Sequence, residues 1–199
     1  MRKLSLEDWI LLLFYLSPNR MIKGELYVQE ALFIASQLLE RLRKMIEFEP
    51  YKYGPYCETV KDKLEVLERA GYIKRIGKRL LLMEDGLREI LSKLNLFRKD
   101  EKEVLGKIIK FINQLDEDEL LLYVYVAYGY YEKSDAINEL LQKREEIALR
   151  MLKKGLISVG LASKIAGKPY LEFIELLKRK GIKPFRADEN DLEEESANI

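Results

Sequence analysis

The amino-acid sequence predicts a mainly α-helical protein. Hydrophobic residues make up 48% of the 199 positions, and they recur at helical spacing along most of the chain. Glycine and proline are scarce, at 11 and 5 residues, so few positions interrupt a helix. A chain of this length can form one large domain or two small domains with a connector.

The composition restricts the classes of function. The chain has no histidine and one cysteine, Cys57. This excludes the usual zinc ligand sets, histidine-based acid–base catalysis and an internal disulfide. We therefore expect no enzymatic activity, no cofactor and no metal, and a reducing cytoplasm as the location. The apolar run at residues 10–16 is too short to span a membrane, so we expect a buried helix there and no membrane association.

Residues 1–95 predict three helices followed by a β-hairpin. The helices are expected at residues 5–16, from residue 24 into the 40s, and at 56–70, with a loop at 48–56 that contains two prolines and a glycine. Ser5 is the expected N-cap of the first helix, and Gly71 the expected end of the third. Residues 72–83 predict two short strands around Gly77, before another helix.

This order of elements is that of a winged helix-turn-helix, with the hairpin as its wing. The four basic residues of the hairpin would then lie beside a phosphate backbone: Lys74, Arg75, Lys78 and Arg79. The alternative is a hairpin whose charges only keep the protein soluble. The third helix mixes charges of both signs, and only Thr59 and Lys61 are suited to contacts in a groove.

Residues 96–133 predict a helical connector. One helix is expected near residues 99–114. Another is expected to begin near Glu117, because the acidic first turn outweighs the strand propensity of the alternating Tyr and Val at 123–126. The helices at 99–131 carry more apolar and aromatic residues than a monomer of this size is expected to bury. We therefore expect the connector to form a homodimer, which would place two wings on successive half-sites.

Residues 134–186 predict a helix-turn-helix domain. A long helix is expected from Ser134 to about residue 154, ended by Gly155. In the stretch GLISVGLASKIAGKPYLEFIELLKRKGI at 155–182, Ser158 is the expected N-cap of the first helix and Gly167 allows the turn. Pro169 suits the first turn of the second helix. Small residues mark the helix crossing, and apolar residues fill the core: Ala162, Ser163, Ala166, Phe173, Leu176 and Leu177.

The outward face of the second helix is poorly suited to reading base edges. Its expected exposed positions are Tyr170, Leu171, Ile174, Glu175 and Lys178. None of them is the Arg, Asn or Gln that makes bidentate contacts with bases. The basic residues lie at the edges, which fits contact with the phosphate backbone or with a protein. The candidate DNA-binding residues of this domain are Lys164, Lys168, Tyr170, Lys178 and Arg179.

The charge of the chain is unevenly distributed, although its formal net value is only +1. Residues 147–186 hold ten basic and two acidic side chains, whereas residues 187–199 hold six acidic and no basic ones. The last segment has too few apolar residues to fold alone, and it predicts an acidic flexible tail that competes with nucleic acid for the basic segment. The alternative is a solvated basic surface followed by a disordered end.

Two stretches resemble known families. The first carries EEIALRML at 145–152, Gly155, ISVGLASKIAG at 157–167, EF at 172–173 and LLKRKGI at 176–182. From about residue 144 to 195 it resembles uncharacterised protein family 0175, small prokaryotic helix-turn-helix proteins of which some are considered antitoxin-like. Ser163 stands where that family usually has alanine. The second stretch, PYKYGPY at 50–56 with LERAGYI at 67–73, resembles archaeal winged-helix proteins of unassigned function and, more distantly, the Panacea-type antitoxin domain.

The residues and the resemblances together predict a DNA-binding transcriptional regulator, with double-stranded DNA as its partner. The resemblances imply an antitoxin-like role, and they offer no catalytic residue. A protein-interaction module is the alternative, in which Tyr170, Leu171 and Ile174 contact a partner such as a toxin. A purely structural homodimer is a third possibility. Binding to phosphates would weaken steeply with salt, while an apolar protein contact would change little.

Overall fold

The computed structural model describes residues 4–51, 54–129 and 135–182. It is mainly α-helical with little β-structure, which confirms the prediction of a mainly α protein. The winged helix-turn-helix stays a prediction. The strands are β1 (Met21–Ile22), β2 (Glu49–Tyr51), β3 (Gly54–Tyr56), β4 (Ile73–Ile76) and β5 (Arg79–Leu82). The helices are α1 (Leu6–Leu16), α2 (Glu25–Leu38), α3 (Glu40–Arg43), α4 (Glu58–Arg69), α5 (Glu84–Leu91), α6 (Lys99–Ile112), α7 (Glu117–Tyr128), α8 (Asp135–Gln142), α9 (Arg144–Lys153), α10 (Val159–Ala166) and α11 (Tyr170–Arg179).

The contacts divide the chain into two units. The N-terminal unit comprises the described residues up to 116, and the C-terminal unit comprises residues 117–129 and 135–182. Helix α6 thus belongs to the first unit and α7 to the second, although the sequence predicts a single connector at 96–133. The predicted domain boundaries stay predictions. The tail predicted at 187–199 lies outside the described residues.

Helix α1 is the centre of the N-terminal unit. Its sequence is apolar around nearly the whole circumference, which is typical of a helix buried on all sides. Residues 9–14 are at most 1% exposed. Helices α2, α4, α5 and α6 and strand β5 all contact it. The ring of Trp9 meets Phe97 edge to face, with 5.0 Å between the ring centroids.

The carboxylate of Asp8 in the first turn of α1 is also buried, and its charge is compensated. The backbone N–H of Ser5 donates to Oδ2 of Asp8 at 2.8 Å, which confirms Ser5 as the N-cap. The other carboxylate oxygen of Asp8 accepts from Nζ of Lys93 at 2.6 Å. Since Asp8 is only 3% exposed, this ion pair is what makes its burial possible.

A three-stranded antiparallel sheet completes the N-terminal unit, in the order β1-β5-β4. Strands β4 and β5 form the hairpin predicted at 72–83, with Gly77 in its turn. The register pairs Ile73 with Leu82 and Ile76 with Arg79. Gly71 has a left-handed backbone after α4, as predicted.

The segment predicted as a loop at 48–56 contains a second hairpin, so that prediction is wrong. Strands β2 and β3 pair antiparallel, with Glu49 opposite Tyr56 and Tyr51 opposite Gly54. Extended backbone accommodates the fixed φ of proline, and a two-stranded ribbon leaves edges on which its missing N–H costs nothing. The rings of Tyr51 and Tyr56 meet across the strands, with centroids 5.0 Å apart.

Two helices are shorter than the sequence predicts. The second helix ends at Leu38, because Leu39 is extended and α3 begins after it. The long helix predicted up to residue 154 is interrupted at Lys143, and α8 and α9 are separate helices. Its predicted cap, Ser134, lies outside the described residues. Arg144 is therefore the first residue of α9, and its side chain contacts the end of α10.

The C-terminal unit is assembled around α9, which contacts α7, α8 and α10. Residues 117–128 are helical, as the acidic first turn predicts. Glu119 on α7 is fully buried, and its two oxygens accept from Nζ of Lys154 at 2.8 and 2.6 Å. Nε of Arg150 lies 3.5 Å from the same carboxylate. These pairings attach α7 to α9 and its C-terminal end.

The apolar surplus expected in the helices at 99–131 is absent from their described part. Most of the apolar side chains are already buried within a single chain: Leu105, Ile108, Ile109, Ile112, Leu120, Leu121, Leu122, Val124 and Tyr125. This burial does not support the argument from an apolar surplus, and the homodimer stays a prediction. No described helix combines the length and the apolar character needed to cross a membrane.

A side-chain amide joins α2 to the start of α4. Nε2 of Gln29 donates to the carbonyl oxygen of Cys57, and the N–H of Cys57 donates to Oε1 of Gln29, both at 3.1 Å. Both residues are buried, so the two hydrogen bonds are shielded from water.

Glu30, the next residue of α2, has no such compensation. It is 0% exposed, and neither carboxylate oxygen has a hydrogen-bond partner among the described residues. Burial disfavours the charged form and raises the pKa of Glu30 well above its ordinary value. The folded N-terminal unit therefore favours the protonated acid.

We predict that Glu30→Gln stabilises the N-terminal unit progressively more as pH rises. Because the folded-state pKa is raised, the folded chain binds more protons than the unfolded chain above pH 4.5, and the wild type loses stability as pH rises from there. The amide does not ionise, so the variant escapes this loss. We expect a gain in the free energy of unfolding of about 1–3 kcal/mol at pH 8 and almost none near pH 4.5.

Urea unfolding at pH 4.5–8 measures this effect through the fluorescence of Trp9, the single tryptophan of the chain. Glu65→Gln, at an exposed position on α4, is the control for loss of a surface carboxylate. Parallel stability curves for wild type and Glu30→Gln across this pH range would contradict the prediction.

Candidate nucleic-acid interface

The basic residues predicted on the hairpin are all exposed. The register places Lys74 opposite Leu81 and Ile76 opposite Arg79, and side chains alternate between the faces of a strand. Lys74, Ile76 and Arg79 therefore share one face of the hairpin. No ion pair between described residues involves Lys74 or Arg79. Ile76 is 55% exposed between them, so this face combines positive charge with an apolar side chain.

Arg75 lies on the other face and has a structural contact. Its Nε lies 2.9 Å from Oε1 of Glu68 on α4. This ion pair attaches the hairpin to the helix that precedes it, and it neutralises one of the four predicted cations. Lys78, in the turn, is exposed and completes the basic group.

The outward face of α4 is not basic. Thr59 is exposed, as predicted, but Nζ of Lys61 lies 3.4 Å from Oε1 of Glu58. The nearby Glu58 carboxylate raises the pKa of Lys61. The hydroxyl of Tyr56 donates to the same carboxylate at 2.9 Å. With Asp62 and Glu65 also exposed on this helix, the structure does not favour α4 at a phosphate backbone.

The C-terminal helix pair has the predicted internal architecture. Oγ of Ser158 accepts from the N–H of Leu161 at 3.2 Å, which confirms Ser158 as the N-cap of α10. The predicted core residues are buried: Ala162, Ser163, Ala166, Phe173, Leu176 and Leu177. Pro169 is the residue that precedes α11, so it lies one position earlier than a first-turn proline.

The turn between α10 and α11 is built from a glycine and a distant arginine. Gly167 has a left-handed backbone with φ of 66°. The guanidinium of Arg144 lies directly over it: Nε donates to the carbonyl of Ile165 at 2.7 Å and Nη2 to that of Lys164 at 3.0 Å. A Cβ at position 167 would come within 2.3 Å of this guanidinium. Gly167 thus satisfies two constraints, backbone conformation and space for the cation that caps α10.

The predicted contact residues of this unit differ in their surroundings. Lys164, Lys178 and Arg179 are exposed, and none of them forms an ion pair with another described residue. Lys168 is half-buried, with Nζ 3.3 Å from Oε2 of Glu145, so its charge is compensated. Tyr170 is 48% exposed.

The first turn of α11 also presents an apolar side chain that sequence reasoning placed correctly. Leu171 is 76% exposed, beside Tyr170, while Ile174 is only half-buried. Helices α10 and α11 thus combine a small apolar patch with cations near it in the sequence. Sequence reasoning missed the roles of Arg144 and Glu145, because each acts on a residue more than 20 positions away.

The matches to known proteins cover the C-terminal region. Residues 133–199 match the model of Uncharacterised protein family (UPF0175). A UPF0175 protein from Aeropyrum pernix is 48% identical over 52 residues, which are 26% of this chain and 57% of that protein. The resemblance to this family is thereby confirmed for the C-terminal region. The match spans little more than half the length of the relative. The resemblance of residues 50–56 and 67–73 to winged-helix proteins stays a prediction.

We predict that Gly167→Ala destabilises the C-terminal unit more than Gly155→Ala does. Both glycines end a helix with left-handed φ, but no atom lies within 4 Å of a Cβ built at Gly155. Gly155→Ala should therefore cost only the backbone strain, about 1–2 kcal/mol. Gly167→Ala should cost about 1–2 kcal/mol more, because displacing the Arg144 guanidinium breaks its hydrogen bonds.

Hydrogen exchange of the α10 and α11 amides measures this difference in the full chain. Arg144→Ala provides the control background, in which the two glycine substitutions should have nearly equal costs. An excess cost of Gly167→Ala that persists without Arg144 would contradict the explanation.

Proposed function

We propose that the chain is a DNA-binding transcriptional regulator without enzymatic activity, which contacts the phosphate backbone through the hairpin β4–β5. The observation that carries the proposal is the order α1-β1-α2-α3-β2-β3-α4-β4-β5 combined with the sheet order β1-β5-β4. This order supports a winged helix-turn-helix, in which α4 would be the helix after the turn, here extended by α3 and the β2–β3 pair, and the hairpin β4–β5 would be the wing. A wing with exposed cations at its tip supports contact with DNA.

The distribution of charge favours backbone contact over base reading in this proposal. Lys74, Lys78 and Arg79 are exposed on the hairpin, whereas the α4 surface carries Asp62 and Glu65. Exposed cations that neutralise phosphates release the counterions bound to the DNA, and that release is the main source of nonspecific affinity. Acidic side chains in a groove would oppose the approach of α4.

The C-terminal unit would add a second set of phosphate contacts. Lys164, Lys178 and Arg179 are the cations available for it, since Lys168 is compensated by Glu145. The antitoxin-like role implied by the family resemblance belongs to this part of the proposal. A homodimer would place two hairpins on successive half-sites of the DNA.

Fluorescence anisotropy with a labelled mixed-sequence duplex at several salt concentrations tests the proposal. The test variant is Lys74→Gln/Lys78→Gln/Arg79→Gln. The control, Lys44→Gln/Arg88→Gln/Lys99→Gln, removes the same charge from exposed positions outside the hairpin. We expect steeply salt-dependent binding by the wild type, and an affinity reduced roughly tenfold or more, with a shallower salt slope, in the hairpin variant.

The control variant should bind nearly as well as the wild type. Absence of binding at low salt by the folded wild type would overturn the proposal. Equal weakening in the two triple variants would show that net charge, and not the hairpin, governs binding.

The exposed patch on α11 favours a second candidate function, a protein-interaction module. Tyr170 and Leu171 would contact an apolar surface on a partner such as a toxin. Glu172 and Glu175 lie on the same helix and disfavour phosphate at this face. In this case the helix pair would serve protein recognition and not DNA.

We predict that Leu171→Asp separates the two functions. The substitution places a charge on the apolar patch, so a partner held there should be lost, while hairpin-mediated DNA affinity should change less than about threefold. A pull-down at low and high salt, with Lys178→Gln as the matched control on α11, measures the first effect. A partner retained equally by wild type and Leu171→Asp would exclude this patch as its binding surface.

A further inference from the structure

The N-terminal unit contains a cavity of about 450 Å³ beside the hairpin. Its lining comes from the turn after α1, from β1 and β5, and from the C-terminal end of α6. This volume lies within the usual range of sites for small molecules. Pro18 and Met21 supply apolar lining.

The charges around the cavity have one sign. Lys23, Arg79 and Lys110 line it together with the amides of Asn113 and Gln114, and no carboxylate is among the lining residues. No ion pair between described residues involves Arg79 or Lys110. Their mutual repulsion is therefore uncompensated by a protein carboxylate, which favours the entry of an anion.

Lys23 is held in place by two further contacts. Its Nζ donates to the carbonyl oxygen of Leu115 at 2.6 Å and lies 5.2 Å from the centre of the Tyr27 ring. The hydroxyl of Tyr27 donates to the same carbonyl at 3.1 Å. These contacts fix the ammonium group of Lys23 at the wall of the cavity, where its positive charge adds to that of Arg79 and Lys110.

The turn that forms one wall has an unusual backbone. Asn19 and Arg20 both have φ of 54°, in the left-handed region that non-glycine residues seldom adopt. The conformation is stabilised by Oγ of Ser17, which donates to the carbonyl of Met21 at 2.6 Å and accepts from Nδ2 of Asn113 at 3.0 Å. The turn is thus fixed to α6 before any ligand arrives. Strained backbone of this kind often accompanies binding sites.

We infer that this cavity binds a small phosphorylated molecule. Three cations match a phosphate dianion better than a single carboxylate, because they supply more positive charge than one carboxylate requires. The apolar lining from Pro18 and Met21 fits a compact organic group attached to the phosphate.

The cavity shares Arg79 with the exposed face of the hairpin. A bound phosphate would engage this guanidinium and reduce the positive charge that the hairpin presents. The small molecule would then act as an effector that weakens DNA binding. This regulatory consequence rests on the proposed function, whereas the binding of the phosphorylated molecule does not.

Isothermal titration of the full chain with inorganic pyrophosphate, at constant ionic strength, tests the site. Lys110→Gln removes a cation of the lining, and Lys107→Gln removes an exposed cation of the same helix that does not line the cavity. We expect saturable binding by the wild type and by Lys107→Gln, and affinity at least tenfold weaker in Lys110→Gln. Circular dichroism confirms that the variants are folded.

Three results would overturn the inference: no saturable binding, equal weakening in both variants, or equal binding of acetate at matched ionic strength. A separate titration with duplex DNA distinguishes this failure from failure of the proposed function. Pyrophosphate binding without DNA binding would support the site and reject the regulator. Pyrophosphate that weakens DNA binding by the wild type, and much less by Lys110→Gln, would support the effector role. If Lys110→Gln weakens DNA binding and the wild type does not bind pyrophosphate, Lys110 would be a contact to the DNA backbone and not part of a small-molecule site.

Discussion

The N-terminal unit depends on the burial of α1 on nearly all its sides. A helix without a polar face must be surrounded, and four helices and β5 therefore pack against it. The acidic group in its first turn is tolerated because Lys93 and the Ser5 N–H both meet the Asp8 carboxylate. Since β5 contacts α1, the hairpin projects from the apolar core. The apolar core and the ion pair between Arg75 and Glu68 together hold the hairpin, and the cations on its other face remain exposed.

The C-terminal unit has an apolar core of its own, and long-range polar contacts add to it. Its helices are short, and long-range polar contacts connect them. Among these are the contact of the Glu119 carboxylate with Lys154 and that of the Arg144 guanidinium with the end of α10. Each compensates a group that would otherwise be costly to bury or to leave without a partner. The turn of the helix pair thus depends on a side chain that belongs to the preceding helix. The family match over residues 133–199 includes this arginine together with the glycine that it covers.

The features that could be predicted from the sequence were those with local signals. Helical spacing, the Ser5 and Ser158 caps and the strand pattern around Gly77 each lie within a few residues, and all of them appear in the structure. The exposure of Leu171 followed from helical geometry in the same way. Pairings between distant residues could not be predicted, because no period connects Lys168 to Glu145 or Arg144 to Ile165. The hairpin at 49–56 was missed since two prolines usually indicate a loop.

The hydrogen bonds between Gln29 and Cys57 have a consequence for how this unit can change over evolutionary time. The amide of Gln29 contacts the backbone at position 57, so any small residue can offer it the same N–H and carbonyl. The reverse is not true, because a shorter or charged residue at position 29 would lose one or both bonds. Position 57 is therefore free to drift among small residues, whereas position 29 is constrained. In distant relatives of the N-terminal unit, we expect the glutamine at position 29 to be retained more often than the cysteine at position 57.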